Sequence, residues 1–283
     1  MNKILFFLIV FIGAVYPQTI PFNKFDSTKI DVGTMYIYEY SRNKENFEPT
    51  SEIYIYIKTL NDIEVLVKRN KNTTISYIRK YMINWNYMML SKSEWQFLGD
   101  RQSMPSNTTY SSTTIIDFEK KRVIYKGINK IEDGFKNTNN ISEFESIPTY
   151  FYRKTDLLPL WFSLRFYPLG KKDISVNHNA HGYDTDFSIK YIGKEKVETT
   201  FGKVLCHKFE LFPQMSFFMK LFYSPEKAWI WLSAEDNYRY MVKYRNNNER
   251  STFTQNMEYR LAERKQLTLE EWESFKETNR PKK

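Results

Sequence analysis

Apolar and polar residues alternate along most of this chain, and that two-residue period predicts half-covered β-strands. Tyr36, Tyr38 and Tyr40 share one face of a strand over Met35–Tyr40. Over Glu52–Thr59 both faces are apolar, with Ile53, Ile55 and Ile57 opposite Tyr54 and Tyr56. That strand is expected in the middle of a sheet, covered twice. Glu64–Arg69 and Ile75–Ile83 follow as strands, separated by turn signals at Asn61-Asp62 and Asn70–Thr73. Met88–Trp95 stays open, because Ser93 with Gln96 forms the capping-box pair of a short helix. Ser103–Thr114 reads as a surface loop leading into a strand over Thr113–Phe118, and Arg122–Lys126 as its return. Asp133–Ser146 is polar and Asn-rich and reads as a long loop.

The second half repeats the pattern. Strands are predicted over Thr185–Ile192, Lys196–Thr199, Val204–Leu211, Ser216–Ser224, Ala228–Ser233, Tyr238–Arg245 and Ser251–Arg260. Gly193-Lys194-Glu195 and Phe201-Gly202-Lys203 are read as turns between them. Regular spacing and short turns make an antiparallel meander, and a long meander curls. One stretch breaks the alternation. Asp156–Tyr167 is apolar all round and predicts a short helix, with Asp156 as its cap and Pro159 in the first turn. A helix without a polar face must be covered on all sides. The expected fold is therefore mainly β: an open antiparallel β-barrel, or half-barrel, wrapped around one short apolar helix. A short C-terminal helix follows Thr268, whose side chain pairs with Glu271 as a capping box; Leu269, Trp272 and Phe275 are expected to dock it.

The ends set the compartment. Asn2 and Lys3 precede an apolar run, Ile4–Val15, of signal-peptide length and too short to span a bilayer. The expected organisation is a signal peptide over 1–18, one half-barrel domain over 19–265, and a helix with a basic tail over 266–283. No Cys follows the apolar run, so export to the periplasm or medium is expected without a lipid anchor on a Cys. Cys206 is the single cysteine, which excludes an internal disulfide. Among 283 residues there are 21 Tyr and 22 Phe but only 9 Gly and 10 Pro, which favours pleated sheet and excludes low-complexity chains. The net charge of +9 is scattered along the chain. It is compatible with an anionic membrane surface, and no nucleic-acid module accompanies it.

Candidate chemistry is sparse. His178 and His181 have H-x-x-H spacing beside Asp184 and Asp186, a weak zinc signal on what reads as a polar turn. Cys206 and His207 are adjacent, but neighbours on a strand point to opposite faces, so a catalytic dyad is disfavoured. Phosphate loops, dinucleotide fingerprints and nucleophile elbows are absent from the sequence, so no catalytic residue and no cofactor is expected. Trp229 and Trp231 share a face, and with Trp161, Phe162, Tyr238 and Tyr240 could line an apolar pocket; plain core packing is the simpler reading. The sequons at Asn72, Asn107 and Asn140 fall in or beside predicted turns.

Three pieces together resemble a family of secreted bacterial proteins of unknown function with a lipoprotein-carrier (LolA-like) half-barrel domain. They are Val32–Tyr40, the helix Asp156–Arg165, and Ile192–Glu210 followed by Ala228–Ser233. The resemblance implies an open barrel around helical elements. In the carriers the concave face holds acyl chains; whether the short apolar helix here fills that groove or leaves it open is the point on which the expected roles divide. Three roles follow as expectations. The first is a non-catalytic envelope or secreted protein binding an apolar or lipid-like ligand. The second is a structural or protein-interaction module with its cavity plugged by residues 156–167, serving an envelope protein partner. The third is a metal-dependent enzyme using the His178/His181 turn.

Overall fold

The structure, a computed structural model, describes residues 26–41, 47–69, 74–84, 89–100, 104, 106, 108–143, 161, 164–167, 169, 174–180, 183–213, 227–247 and 257–281. Among them fourteen strands make one sheet. The N-terminal arm contains β1 (Thr34–Ser41), β2 (Ser51–Ile57), β3 (Asp62–Arg69), β4 (Tyr77–Asn84), β5 (Met89–Phe97), β6 (Thr109–Asp117), β7 (Arg122–Ile131) and β8 (Gly134–Glu143). The C-terminal arm contains β9 (Ile174–Ala180), β10 (Tyr183–Thr199), β11 (Gly202–Pro213), β12 (Lys227–Ser233), β13 (Met241–Asn247) and β14 (Glu258–Gln266). Helix α1 (Leu269–Asn279) follows. The order is β8-β7-β6-β5-β4-β3-β2-β1-β14-β13-β12-β11-β10-β9: two antiparallel meanders joined where the first strand pairs with the last.

That join carries a bulge. Ile37 faces Glu263 and Tyr38 faces Leu261, leaving Ala262 as the extra residue on β14. Its carbonyl accepts a hydrogen bond from the Thr200 hydroxyl at 2.7 Å, in the turn that links β10 to β11. Strands three places apart in a flat sheet would lie about 14 Å from each other. This bond therefore requires the C-terminal arm to roll.

The two faces of β1–β4 are both covered. Tyr36, Tyr38, Ile55, Ile57, Ile63 and Val65 join the large core that contains Trp161 and Tyr167. Met35, Tyr54, Tyr56 and Leu66 point the other way and pack with Trp272 of α1. The doubly apolar strand predicted over Glu52–Thr59 thus sits between two cores. The Thr268/Glu271 capping box is formed: the Thr268 Oγ accepts from the Glu271 N–H at 3.2 Å, and the Glu271 carboxylate accepts from the Thr268 N–H at 2.7 Å. Thr268→Ala is expected to cost about 1 kcal/mol in chemical denaturation, with serine restoring most of it.

Several expectations are corrected. Asp133–Ser146 is not a loop, because Gly134–Glu143 is strand β8, hydrogen-bonded along its length to β7. The stretch left open over Met88–Trp95 resolves as strand β5, since β4 and β6 pair on either side of Met89–Phe97. The loop over Ser103–Thr114 ends earlier, as β6 begins at Thr109. Gly193-Lys194-Glu195 is no turn: β10 runs through it, and Gly193, at φ 141°, absorbs the irregularity between Tyr191 and Gly193. Tyr238 and Tyr240 precede β13 in a tight connection. Leu269 does not dock α1, being 47% exposed; Lys276 is buried instead. Asn140 lies on β8, in a strand. The signal segment 1–18, residues 156–160, Phe162, His181, Asn72, Asn107 and the strand predicted over Ser216–Ser224 lie outside the described residues.

Candidate functional site

The described part of the apolar stretch, Trp161 and Leu164–Tyr167, enters the interior. Trp161 and Leu164 are helical, and Trp161, Leu164, Arg165 and Tyr167 are each 0% exposed. The Trp161 ring meets Tyr36 edge-on at 5.3 Å and 89°, and Tyr38 at 6.0 Å and 75°. Tyr167 meets Phe209 of β11 at 5.2 Å and 76°. The segment therefore touches both arms of the sheet.

A charged knot holds it there. A fully buried arginine is expensive unless paired and hydrogen-bonded. Arg165 Nη1 lies 2.8 Å from Asp31 Oδ1 and donates to the Lys29 carbonyl at 3.1 Å. Its Nη2 reaches the Tyr36 hydroxyl at 3.4 Å, and that hydroxyl donates to Asp31 Oδ2. The guanidinium also stacks 4.5 Å from the Trp161 ring. Arg264 of β14 reaches Asp31 at 3.3 Å and Asp236 at 2.9 Å. Arg239, in a left-handed conformation at φ 46°, donates to the carbonyls of Arg165 at 3.2 Å and Tyr167 at 2.7 Å. Those carbonyls lie at the end of the helical turn, where a cation complements the helix dipole. Burial holds the Tyr38 phenol well above its ordinary range, and its hydroxyl donates to the Met241 carbonyl at 2.8 Å.

Five of the six aromatic candidates lie among the described residues; Phe162 does not. Trp161 and Tyr240 come together through Tyr36, whose ring lies 5.9 Å from that of Tyr240. Arg264 sits 4.8 Å from the Tyr240 ring and 5.2 Å from that of Tyr238, which joins Tyr238 to the rim of the knot. Trp231 is buried in the same large core as Trp161 and Tyr240, with Trp229 half-buried against it. Ile230, between them, pairs with Phe209 on the Tyr167 side, whereas Trp231 pairs with Lys208. Lys208 and Lys243 lie 5.0 and 5.5 Å from the Trp231 ring, and its indole N–H donates to Glu195. Asp31, Arg165, Arg239 and Arg264 were not anticipated. The available signal was Arg165 itself, the one basic residue in an apolar stretch, which needs a buried partner.

Cys206 and His207 do not form a nucleophile–base pair. They lie on opposite faces of β11, with His207 opposite Leu232 and Cys206 opposite Ser233. Burial pushes the Cys206 thiol up to about 12, assisted by Glu235 and Glu195. His207 Nδ1 lies 3.1 Å from the Tyr191 hydroxyl. Burial, with Arg239 and Lys194 nearby, holds its imidazole down at about 4. A folded-state value below the unfolded one near 6.5 makes stability fall as the pH drops from about 6.5 toward 4. Melting temperature is expected to decline over that interval, and His207→Gln to flatten the upper part of it, above the range where carboxylates titrate. His178 lies on β9 opposite Thr185, so the predicted polar turn is a strand there.

No curated protein sequence matches the chain. Solved structures similar to the chain at low identity include the following three. The hypothetical lipoprotein YmcC of Escherichia coli K12 shares 8% identity over 87% of this chain and 90% of its own, with a TM-score of 0.28. A protein of Bacteroides fragilis NCTC 9343, designated exported with a YmcC-like fold, shares 12% over 83% and 96%, with a TM-score of 0.30. A protein of Parabacteroides distasonis ATCC 8503, designated a lipoprotein, shares 10% over 83% and 96%, with a TM-score of 0.31. Residues 102–252, more than half of the chain, match the model of the family described as protein of unknown function DUF3108. The chain therefore belongs to the DUF3108 family.

Proposed function

We propose that this is a non-catalytic exported protein that works as an interaction module, its interior occupied by its own chain. The observation that supports this reading is the burial of Trp161, Leu164, Arg165 and Tyr167 between the two arms, fastened by Asp31 and Arg239. An acyl chain in that volume would have to displace an indole packed on two tyrosines and a buried ion pair. Export rests on the charged start and apolar run at the N-terminus.

The test is native mass spectrometry of the protein released mildly from its own host, with extraction and lipid analysis of the same sample. The expected result is the mass of the bare mature chain. A stoichiometric lipid, lost when Trp161 and Tyr36 are altered, would overturn the reading in favour of apolar-ligand binding.

A further inference from the structure

An edge strand exposes unpaired backbone donors and acceptors, and natural edges are blunted by proline, bulges, shortness or several charges. β8 shows none of these. It is 10 residues long, contains no proline, and pairs with β7 without a register shift. Lys136 is its single charge before Glu143 at the end. Among the described residues β7 is its one neighbour, so its outer edge ends the sheet. Phe135 and Ile141 are 40% and 60% exposed on one face of it, together with Asn137 and Asn139.

We infer that β8 pairs antiparallel with β8 of a second copy of this chain, about a two-fold axis through Thr138. This deepens the interaction-module reading, on which it rests, by naming the partner. A two-fold axis perpendicular to the sheet allows only registers in which paired residues share a face. Centred on Thr138, the pairs are Phe135 with Ile141, Asn137 with Asn139, and Lys136 with Asn140, each occurring twice. Both exposed apolar side chains then face each other, and no like charges meet between Gly134 and Ser142; only at the two ends does Glu143 come up to Asp133 in the turn of the other copy. Moving the centre to Asn139 would set Phe135 against Glu143, and moving it to Asn137 would set it against Asn139. The symmetric pairing also closes, since it uses the same edge of both copies, unlike a head-to-tail contact between β8 and β9.

The experiment uses the mature protein at 0.15 M salt, a value chosen to leave a Debye length of about 8 Å. Light scattering behind gel filtration is expected to show a concentration-dependent dimer. Ile141→Lys is expected to raise the dimer dissociation constant at least tenfold while leaving the melting curve of the monomer in place. Because Cys206, the single cysteine, is buried, an engineered thiol reports register cleanly. Thr138→Cys is expected to form a disulfide-linked dimer under mild oxidation, and Lys136→Cys is not. A monomer at every concentration overturns the inference, as does a dimer indifferent to both Ile141→Lys and Thr138→Cys. A monomer without lipid removes the β8 contact and leaves the interaction-module reading standing. A lipid-loaded protein overturns that reading, and the dimer as its partner falls with it.

Discussion

Asp31→Ala is expected to destabilise the protein by about 3–5 kcal/mol, the usual cost of removing one partner from a buried ion pair. Both side chains are out of water, Arg165 at 0% and Asp31 at 3% exposure. The carboxylate does more than balance one charge. It receives Arg165 on one oxygen, and Tyr36 and Arg264 on the other. Its loss strips a buried guanidinium of its anion and leaves the Tyr36 hydroxyl without its acceptor. Urea denaturation followed by tryptophan fluorescence measures the change. Asp31→Asn keeps an oxygen acceptor and should cost less. The double variant Asp31→Ala/Arg165→Met should recover much of the loss, because apolar replacement of a buried pair is often neutral. A single-variant cost below about 1 kcal/mol, a value typical of surface ion pairs, would show that the knot does not hold the apolar segment in place.

This knot also marks where reading the sequence stops. Strands with one covered face were legible, because burial writes a period of two into them: β1, β2 and β3 lie within a few residues of their predicted spans. The capping box before α1 was legible because both of its partners are three residues apart. β8 was not. Its stability comes from backbone pairing with β7 and not from a buried face, so its side chains carry no strand pattern, and Asn-rich sequence reads as loop. The Gly193 turn signal failed for a related reason, since a glycine at positive φ serves a bulge inside a strand as well as a turn. In the candidate site, Trp161 was legible as core, whereas its lock was not. Asp31 and Arg165 are 134 positions apart, a separation that no local pattern encodes.

Helix α1 supplies the second large effect. Trp272→Ala is expected to cost about 3–5 kcal/mol, the range for truncating a buried tryptophan. The indole is 0% exposed, stacks on Tyr56 at 4.8 Å and on Phe275 at 5.7 Å, and donates to Glu64 at 2.7 Å. Glu64 also receives Lys276 at 2.8 Å, so one buried carboxylate ties two turns of the helix to β3. Burial alone would raise the Glu64 carboxyl, but the hydrogen bonds from Lys276 and Trp272 outweigh it and hold it below its ordinary value. Burial likewise opposes the charge on Lys276, and its bonds to Glu273 and Glu64 overcome this and raise it. The stability from Glu64 is therefore lost as pH falls through its lowered value, and that from Lys276 as pH rises through its raised one. Between those limits α1 should stay docked. Trp272→Phe separates the two contributions of the indole: it keeps most of the stacked area, removes the N–H donor, and should cost about 1–3 kcal/mol. Hydrogen exchange along 269–279 reads docking directly. In Trp272→Ala those amides should exchange faster than the amides of β2 and β3, because the helix loses its anchor before the sheet opens. Equal exchange in helix and sheet would mean that α1 and the sheet unfold as one unit, and that the apolar face of Met35, Tyr54, Tyr56 and Leu66 cannot persist uncovered.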